Sequence, residues 1–356
     1  MVAKRKRLFE KLLGEGNTVT LVCMEYEKSS ADYLRLIGVA LFVMKAKRNR
    51  ISVLSDLRYL CSIIKLLRQL NPDVVVTYTV KPTIYTGIAL RFLSLRSMHI
   101  PIITGLGFSF QDNNFFRRML KVLVVNLYRF SLSGAKKVVQ QNEADADVFV
   151  NLRIVDKQDV LVIEGDGVEL PNIERSSWTG NKKIVCVARL LGEKGLREMH
   201  LALEAVKNNI PTAQVELFGG LEQSRDAIST EELDAWAAAG TVIWKGYCND
   251  VSELLSTSDF FILPSYHEGM STAVCEAISF GLPVIGTDIS GIREMIKGNG
   301  WLVKSRSVED LAAALNSALT CSEDEWLQMS RKSIALAKHK FNREDVMRRL
   351  SEVIRC

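Results

Sequence analysis

The sequence contains no uninterrupted apolar run of about 18 residues, the length a membrane-spanning helix requires, so no such helix is expected in its 356 residues. Residues 1–13 are basic, but Glu10 and Lys11 break up the apolar residues that follow, and the apolar centre of a secretory signal is lacking. A cytoplasmic location is the resulting expectation. Cysteines are scattered: Cys23, Cys61, Cys186, Cys248, Cys275, Cys321 and Cys356 form no C-x-x-C pair and mostly sit inside apolar runs. That argues against a disulfide framework or a metal cluster and fits a reducing compartment. The four histidines, His99, His200, His267 and His339, show no zinc spacing. No G-x-G-x-x-G opens a strand–helix unit, which argues against a dinucleotide dehydrogenase, and no Walker-type loop occurs either.

What is present describes a globular chain. Apolar residues make up 47% and charged residues 24%, ordinary values for a soluble protein. The length favours two domains over one. Charge is unevenly divided: residues 1–150 carry 23 Lys and Arg against 11 Asp and Glu, and the remainder carries 23 against 30. A basic first half points to an anionic surface near it, whether phospholipid, nucleic acid or a phosphorylated substrate.

Short β-branched runs alternate with longer amphipathic segments, the pattern of βαβ units around parallel sheets. Strands are expected at 18–23, 40–44, 73–78, 101–104, 137–140 and 160–163, with helices such as 54–70 and 115–131 between them. The second half repeats the scheme, with strands at 183–188, 214–218, 241–245, 260–263 and 283–286. Its helices are expected at 196–207, 230–239, 251–257, 271–280, 308–319 and 325–340. The polar stretch 164–180, which contains Pro171, lacks periodicity and reads as a linker. The expected division is a first domain at 1–165, a linker at 166–180, a second domain at 181–335, and C-terminal helices at 336–356 packing back toward the first domain. A Rossmann-like domain normally opens with a strand and a glycine loop before its first helix. Here the sequence starts on what reads as the helix, 6–13, and the opening strand with its loop is expected to be missing.

The most informative stretch is Leu263-Pro-Ser-Tyr-His-Glu-Gly-Met-Ser-Thr-Ala-Val-Cys-Glu276. A buried strand ends at Leu263, a loop follows, and a helix begins near Ser271 and stops before Gly281 and Pro283. That places backbone N–H groups of Gly269, Met270 and Ser271 at a helix N-terminus, where phosphate is favoured by open donors and the macrodipole. Glu276 lies four residues after Thr272 and shares its helix face. One carboxylate, Glu268, can then face a reacting group while Glu276 grips a diol one turn deeper. A second stretch, Val187-Ala-Arg-Leu-Leu-Gly-Glu-Lys-Gly195, also sits between a buried strand and a helix. Its Arg189 and Lys194 supply two cations to a diphosphate, whose charge grows as the bond to it breaks.

Arg189, Lys194 and the Glu268-x7-Glu276 spacing resemble family 4 of the retaining glycosyltransferases. Gly246-Tyr-Cys-Asn-Asp-Val251 is similar to that family's nucleotide-base turn, and Gly219–Gly220 to the loop before it. Thr104-Gly-Leu-Gly-Phe108, Gln141-Asn-Glu143 and Lys81-Pro82 resemble the branch that builds lipid-linked saccharides of capsule and O-antigen. The resemblance extends from about Asn17 to the end of the sequence. It implies an α/β GT-B fold, two Rossmann-like doubly wound domains facing each other across a cleft. It implies that Arg189 and Lys194 bind the diphosphate, Glu276 the ribose hydroxyls, and Glu268 faces the transferred sugar. Gly269, Met270, Ser271, Thr272, Gly219, Tyr247 and Val251 would complete the donor site, with Lys81, Thr104, Gly105 and Gly107 on the acceptor side. Many members carry a histidine where this sequence has Thr104-Gly105, so no histidine contact to the donor sugar is available there.

The implied enzyme is a metal-independent, retaining hexosyltransferase. It needs no cofactor, takes a UDP-sugar as donor and acts on a lipid-linked saccharide. Two other readings stay open: a sugar-nucleotide epimerase, and a silent scaffold in polysaccharide assembly. Asp145-Ala-Asp147 matches a metal-binding Asp-x-Asp, but behind Asn142 and Glu143 it reads as a helix cap and acidic first turn. Lys4-Arg-Lys-Arg7 and Phe115-Phe-Arg-Arg-Met-Leu-Lys121 mix cations with apolar residues, as a protein peripheral to the anionic inner membrane surface would. No nucleic-acid motif accompanies the charge.

Overall fold

The computed structural model describes residues 2–24, 26–44, 53–106, 110, 115–172, 178 and 180–355. The chain divides into two compact units, one of Met1–Asp166 with Glu344–Cys356 and one of Gly167–Arg343. The first contains α1 (Val2–Gly14), β1 (Thr20–Cys23), α2 (Lys28–Leu36), β2 (Ala40–Val43), α3 (Val53–Leu70), β3 (Val74–Tyr78), α4 (Val80–Leu93), β4 (Met98–Ile103), α5 (Phe115–Leu132), β5 (Val138–Gln140), α6 (Glu143–Asn151) and β6 (Val160–Val162). The second contains β7 (Ile184–Val187), α7 (Leu196–Lys207), β8 (Val215–Phe218), α8 (Thr230–Ala238), β9 (Val242–Trp244), α9 (Ser252–Ser256), β10 (Phe260–Leu263), α10 (Thr272–Ser279), β11 (Val284–Thr287), β12 (Gly300–Val303), α11 (Val308–Thr320) and α12 (Glu323–Lys340). The last helix, α13 (Arg343–Arg355), belongs to the first unit from Glu344 onward.

Every strand pairing is parallel. In the second unit six strands run in the order β12-β11-β10-β7-β8-β9. Their apolar runs read as strands buried on both faces, and β10 is buried at all four positions. One continuous cluster of buried side chains lies around this sheet, with Trp326 of α12 donating its Nε1–H to the Asp259 carbonyl at 2.9 Å. Helix α12 opens on a capping box between Ser322 and Glu325, so Glu325 is the third residue of the helix and not its first.

The first unit has two sheets, β1-β2 and β3-β4-β5-β6. Among the described residues β1 pairs only with β2, and β3 only with β4. Helix α1 packs on both sheets. Its Leu8 joins Ile100, Ile102 and the α13 residues Val346, Met347 and Leu350, while Phe9 joins Leu34 and Val39 beside β1 and β2. The opposite face of the larger sheet carries α4, packed between α3 and α5. Strand β4 begins at Met98, not at the expected Pro101. The proline sits opposite Thr77 of β3, and pairing with β5 starts only at Ile102, so its missing N–H removes no ladder bond.

His99 is buried on β4, with Nε2 3.0 Å from Thr77 Oγ1, which in turn lies 3.1 Å from Thr83 Oγ1. Burial pushes the imidazole down to about 4. The unfolded chain takes up this proton near pH 6.5, whereas the folded chain resists it until about 4, so stability is complete above 6.5 and declines below it. Urea unfolding followed by circular dichroism should show stability about 2 kcal/mol lower at pH 5 than at pH 7 from this group, and His99→Gln should remove that part.

Candidate active site

In the second sheet the sequence starts at the central strand β7 and moves outward, to β8 and β9 on one side and to β10, β11 and β12 on the other. The connections leaving β7 and β10 therefore diverge at their C-terminal ends, where open parallel sheets leave room for a ligand. The two connections approach each other closely here. Gly195 has φ +69°, and a Cβ on it would lie 2.1 Å from the Pro264 carbonyl oxygen, so only glycine permits the approach. Across it the Tyr266 N–H donates to the Glu193 carbonyl at 2.8 Å. Lys194 Nζ donates to Glu268 Oε1, also at 2.8 Å.

Lys194 and Glu268 retain only 10% and 16% of their side-chain exposure. Arg189, at 61%, stands in solvent with its guanidinium 3.4 Å from Glu193. The structure thus brings the three expected catalytic residues to one sheet edge, Lys194 and Glu268 in a largely buried pair and Arg189 exposed. Tyr266, next to the pair, donates its hydroxyl to Glu198 and lies under the Arg306 guanidinium. Burial and the Glu198 carboxylate push this phenol up and keep it protonated.

Sequence reasoning missed what anchors the Arg189–Lys194 connection. The Asp226 carboxylate accepts the Glu193 N–H at 2.7 Å, and its carbonyl accepts the Gly192 N–H at 2.7 Å. Arg197 of α7 joins Asp226 to Glu232 of α8, and its hydrogen bond holds the Glu232 carboxyl below the usual range. Nothing in the local pattern flags Asp226, because its partners lie about 30 residues earlier.

On the β10 side, Ser271 caps α10, its Oγ accepting from the Val274 N–H at 3.4 Å. Gly269 and Met270 precede it half-buried, Thr272 opens the helix, and Glu276 follows one turn on. The Ser271 N–H is expected to be open to phosphate, but it donates to the Gly291 carbonyl at 3.3 Å. Gly291 itself has φ +78°, and a Cβ there would lie 2.3 Å from the Gly269 carbonyl oxygen. The connection after β11 therefore backs the glutamate loop, a contact that sequence reasoning did not assign to Gly291.

The other residues expected at the donor site lie in the connections that follow β8 and β9. Gly219 donates its N–H to the Gly246 carbonyl at 2.9 Å and accepts the Trp244 Nε1–H at 2.9 Å. A Cβ on Gly219 would lie 1.9 Å from the Ala188 carbonyl oxygen, which brings this turn against the end of β7. Tyr247 is exposed beside Gly220, and Val251 leads into α9.

On the first unit, Lys81 in the first turn of α4 and Thr104–Gly105 after β4 follow neighbouring strands. Lys81 Nζ pairs with Asp56 of α3 at 3.0 Å. Gly107 lies outside the described residues. Asn142 Oδ1 accepts the Asp145 N–H at 2.7 Å, so the Asp145-Ala-Asp147 segment is the capped first turn of α6. No group of three or more His, Cys, Asp or Glu that could hold a metal occurs among the described residues.

A family model described as "Glycosyl transferases group 1" matches residues 171–334, and one described as "Glycosyl transferase 4-like" matches residues 5–142. The chain belongs to these glycosyltransferases. It is 25% identical over 313 residues to the N,N'-diacetylbacillosaminyl-diphospho-undecaprenol alpha-1,3-N-acetylgalactosaminyltransferase of Campylobacter jejuni, a match covering 83% of this chain and 80% of that protein. It is 28% identical over 341 residues to the UDP-Gal:alpha-D-GlcNAc-diphosphoundecaprenol alpha-1,3-galactosyltransferase of Escherichia coli, covering 91% and 85%. The solved structure of Anabaena Alr3699/HepE in complex with UDP superposes with a TM-score of 0.75 at 17% identity, covering 98% of this chain and 95% of that one. That likeness identifies the fold as GT-B.

Because the glycosyltransferase builds its strand-edge contact on Gly195, Gly195→Ala should cost about 1–3 kcal/mol through backbone strain alone. The check is a urea midpoint shifted downward at unchanged slope.

Proposed function

We propose that this glycosyltransferase moves a hexose or N-acetylhexosamine from a UDP-sugar onto a lipid-linked saccharide, with retention, during surface polysaccharide synthesis. It works in the cytoplasm, peripheral to the inner membrane. The observation that carries the reading is the Lys194–Glu268 contact at the divergence of β7 and β10, with Arg189 beside it and Glu276 one helix turn deeper. The C. jejuni and E. coli relatives, which act on diphospho-undecaprenol-linked sugars, support the acceptor class, and the E. coli relative and the UDP complex of Alr3699/HepE support the donor.

In this reading the bond from the sugar C1 to the β-phosphate oxygen breaks, and UDP departs with the electron pair. The acceptor hydroxyl closes on the same face of C1 and passes its proton to the departing phosphate oxygen beside it. The sugar carries oxocarbenium character at the crest of the barrier. Lys194, Arg189 and the N-terminus of α10 take up the charge that develops on the diphosphate, so no resident metal or cofactor is needed. Glu268 faces the sugar while fixing Lys194, and Glu276 accepts the ribose hydroxyls. Gly219, Tyr247 and Val251 frame the base; Lys81, Thr104 and Gly105 lie on the acceptor side.

Thermal unfolding in EDTA, with and without UDP, tests the donor site. UDP at about 100 times its dissociation constant should add about 2.7 kcal/mol to wild-type stability, and much less to Glu276→Ala. A melt indifferent to UDP in both would instead fit a scaffold, and conversion of the UDP-sugar in acceptor-free buffer an epimerase. Lys194→Ala should lower turnover far more than it weakens UDP binding, by about 100-fold against a few-fold, since its interaction grows as the diphosphate leaves. Equal losses in the two would remove its assigned role.

A further inference from the structure

Lys194 and Glu268 are both long side chains with several rotatable bonds. Their hydrogen bond fixes the ammonium only if the two backbones that carry it keep a set spacing. Tyr266, two residues before Glu268, sets that spacing by reaching the other connection on both sides of Lys194. Its N–H donates to the carbonyl of Glu193, the residue before the lysine, at 2.8 Å. Its hydroxyl donates to the carboxylate of Glu198, which lies in the first turn of α7, beyond the lysine. Ser265, fully buried beside it, shares its hydroxyl between the Glu193 carbonyl at 3.4 Å and the His267 carbonyl at 3.2 Å. The Glu193 N–H, in turn, is taken by Asp226 at 2.7 Å, so this peptide is held from two directions.

Two neighbours of the phenol have no evident purpose in folding. Among the described residues no other side chain hydrogen-bonds the Glu198 carboxylate, and its Oε2 is buried without a partner. An acid placed so loses hydration that nothing restores, a cost that the fold avoids elsewhere. What it provides is a charged acceptor for the Tyr266 hydroxyl, the stronger class of hydrogen bond. Arg306, in the connection between β12 and α11, is exposed and has φ +64°, a backbone conformation that strains any residue with a side chain. Its guanidinium lies 4.6 Å from the centroid of the Tyr266 ring. A third connection thus covers the ring, held there by attraction between the cation and the aromatic face.

We infer that Tyr266 is a positioning residue: anchored on Glu198, it sets the place of the Lys194–Glu268 pair and acts on the reaction through Lys194. The inference rests on the proposed transfer from a UDP-sugar and adds to it Tyr266 and Glu198. A group misplaced by about 1 Å can cost a reaction about 100-fold, so a phenol that fixes a backbone spacing has a measurable effect on rate.

Release of UDP by the full chain tests it. UDP-galactose, UDP-glucose, UDP-N-acetylgalactosamine and UDP-N-acetylglucosamine are offered with diphosphoundecaprenol-linked N-acetylglucosamine, the acceptor named for the E. coli relative. The donor that wild type consumes fastest is then used for the variants. Tyr266→Phe, which removes only the hydroxyl, should lower kcat by about tenfold and leave the UDP dissociation constant within about twofold. Glu198→Leu should match it, whereas Glu198→Gln, which keeps an acceptor oxygen, should retain most of the rate. In a Lys194→Ala background Tyr266→Phe should cost less than about threefold, because the group it positions is gone. A Tyr266→Phe enzyme as fast as wild type overturns the inference, and so do equal losses of kcat and UDP affinity, which mark a merely structural role. Glu198→Gln as slow as Glu198→Leu overturns it too, as does a Tyr266→Phe loss undiminished in the absence of Lys194. If Tyr266→Phe gives no cooperative melt, the two Glu198 variants decide. A wild type that releases UDP from none of the four donors removes the transferase reading and this role with it, whereas an active wild type with unaffected variants removes only the role of Tyr266.

Discussion

The site hangs on the approach of two connections at the point where the second sheet's strand order diverges. Parallel strands put every strand-to-helix connection on the same edge, and β7 and β10 are neighbours whose chains leave in opposite directions. Closing the space between them requires a residue without a Cβ at Gly195, and the reward is a lysine and a glutamate in hydrogen-bond contact. Such a pair, largely withdrawn from water, does little for stability, since desolvating two charges offsets most of their attraction. Its effect is positional. Lys194 is held at a fixed place by a partner of opposite charge, and in the proposed reaction an arriving diphosphate would meet a cation that needs no reorganisation.

This part of the protein was readable in the sequence because its determinants are local. Apolar strands followed within a few residues by glycine, cation or glutamate, then by a helix, place side chains on a known edge whatever the rest of the fold does. Thus the connections that carry Arg189 to Lys194 and Glu268 to Glu276 could be placed on one sheet edge before any coordinates, and Asn142 at a cap. What escaped is non-local. Asp226 holds Glu193 across 33 residues, and Gly291 holds the Gly269 turn across 22, with no periodicity to announce either. The Ser271 N–H was misjudged for the same reason, since its acceptor is a carbonyl on a different connection.

The first unit was less legible, and its burial explains why. Strand β1 has no fully buried position and β3 only one, whereas β10 is buried throughout. Half-buried strands carry a weaker apolar signal, and β4 could be started late because a proline, normally excluded from paired strands, sits at Pro101 where one side of the ladder is unused. Helix α5 was legible as a helix with an amphipathic start, but an apolar residue on a sequence does not reveal whether it faces a sheet or solvent, and only the burial of Tyr128 against the exposure of Phe115 separates its two stripes.

In the proposed reaction the two cations differ in how firmly the fold holds them, Lys194 in a largely buried pair and Arg189 in an exposed one. A rigid Lys194 stabilises charge at one place, yet the leaving diphosphate moves away from the sugar as the bond lengthens. Arg189 is suited to the moving part: it is exposed, and its contact with Glu193 is a solvent-screened pair worth at most about 1 kcal/mol. Exchanging that partner for a diphosphate, to which a guanidinium binds through two parallel hydrogen bonds, therefore gives up little and gains a charge-assisted contact. Fixing both cations as tightly as Lys194 would favour the bound donor as much as the departing one, and uniform binding of that kind does not raise turnover. A fixed lysine with a loosely held arginine four connecting residues away is the arrangement that favours the later, more charged state.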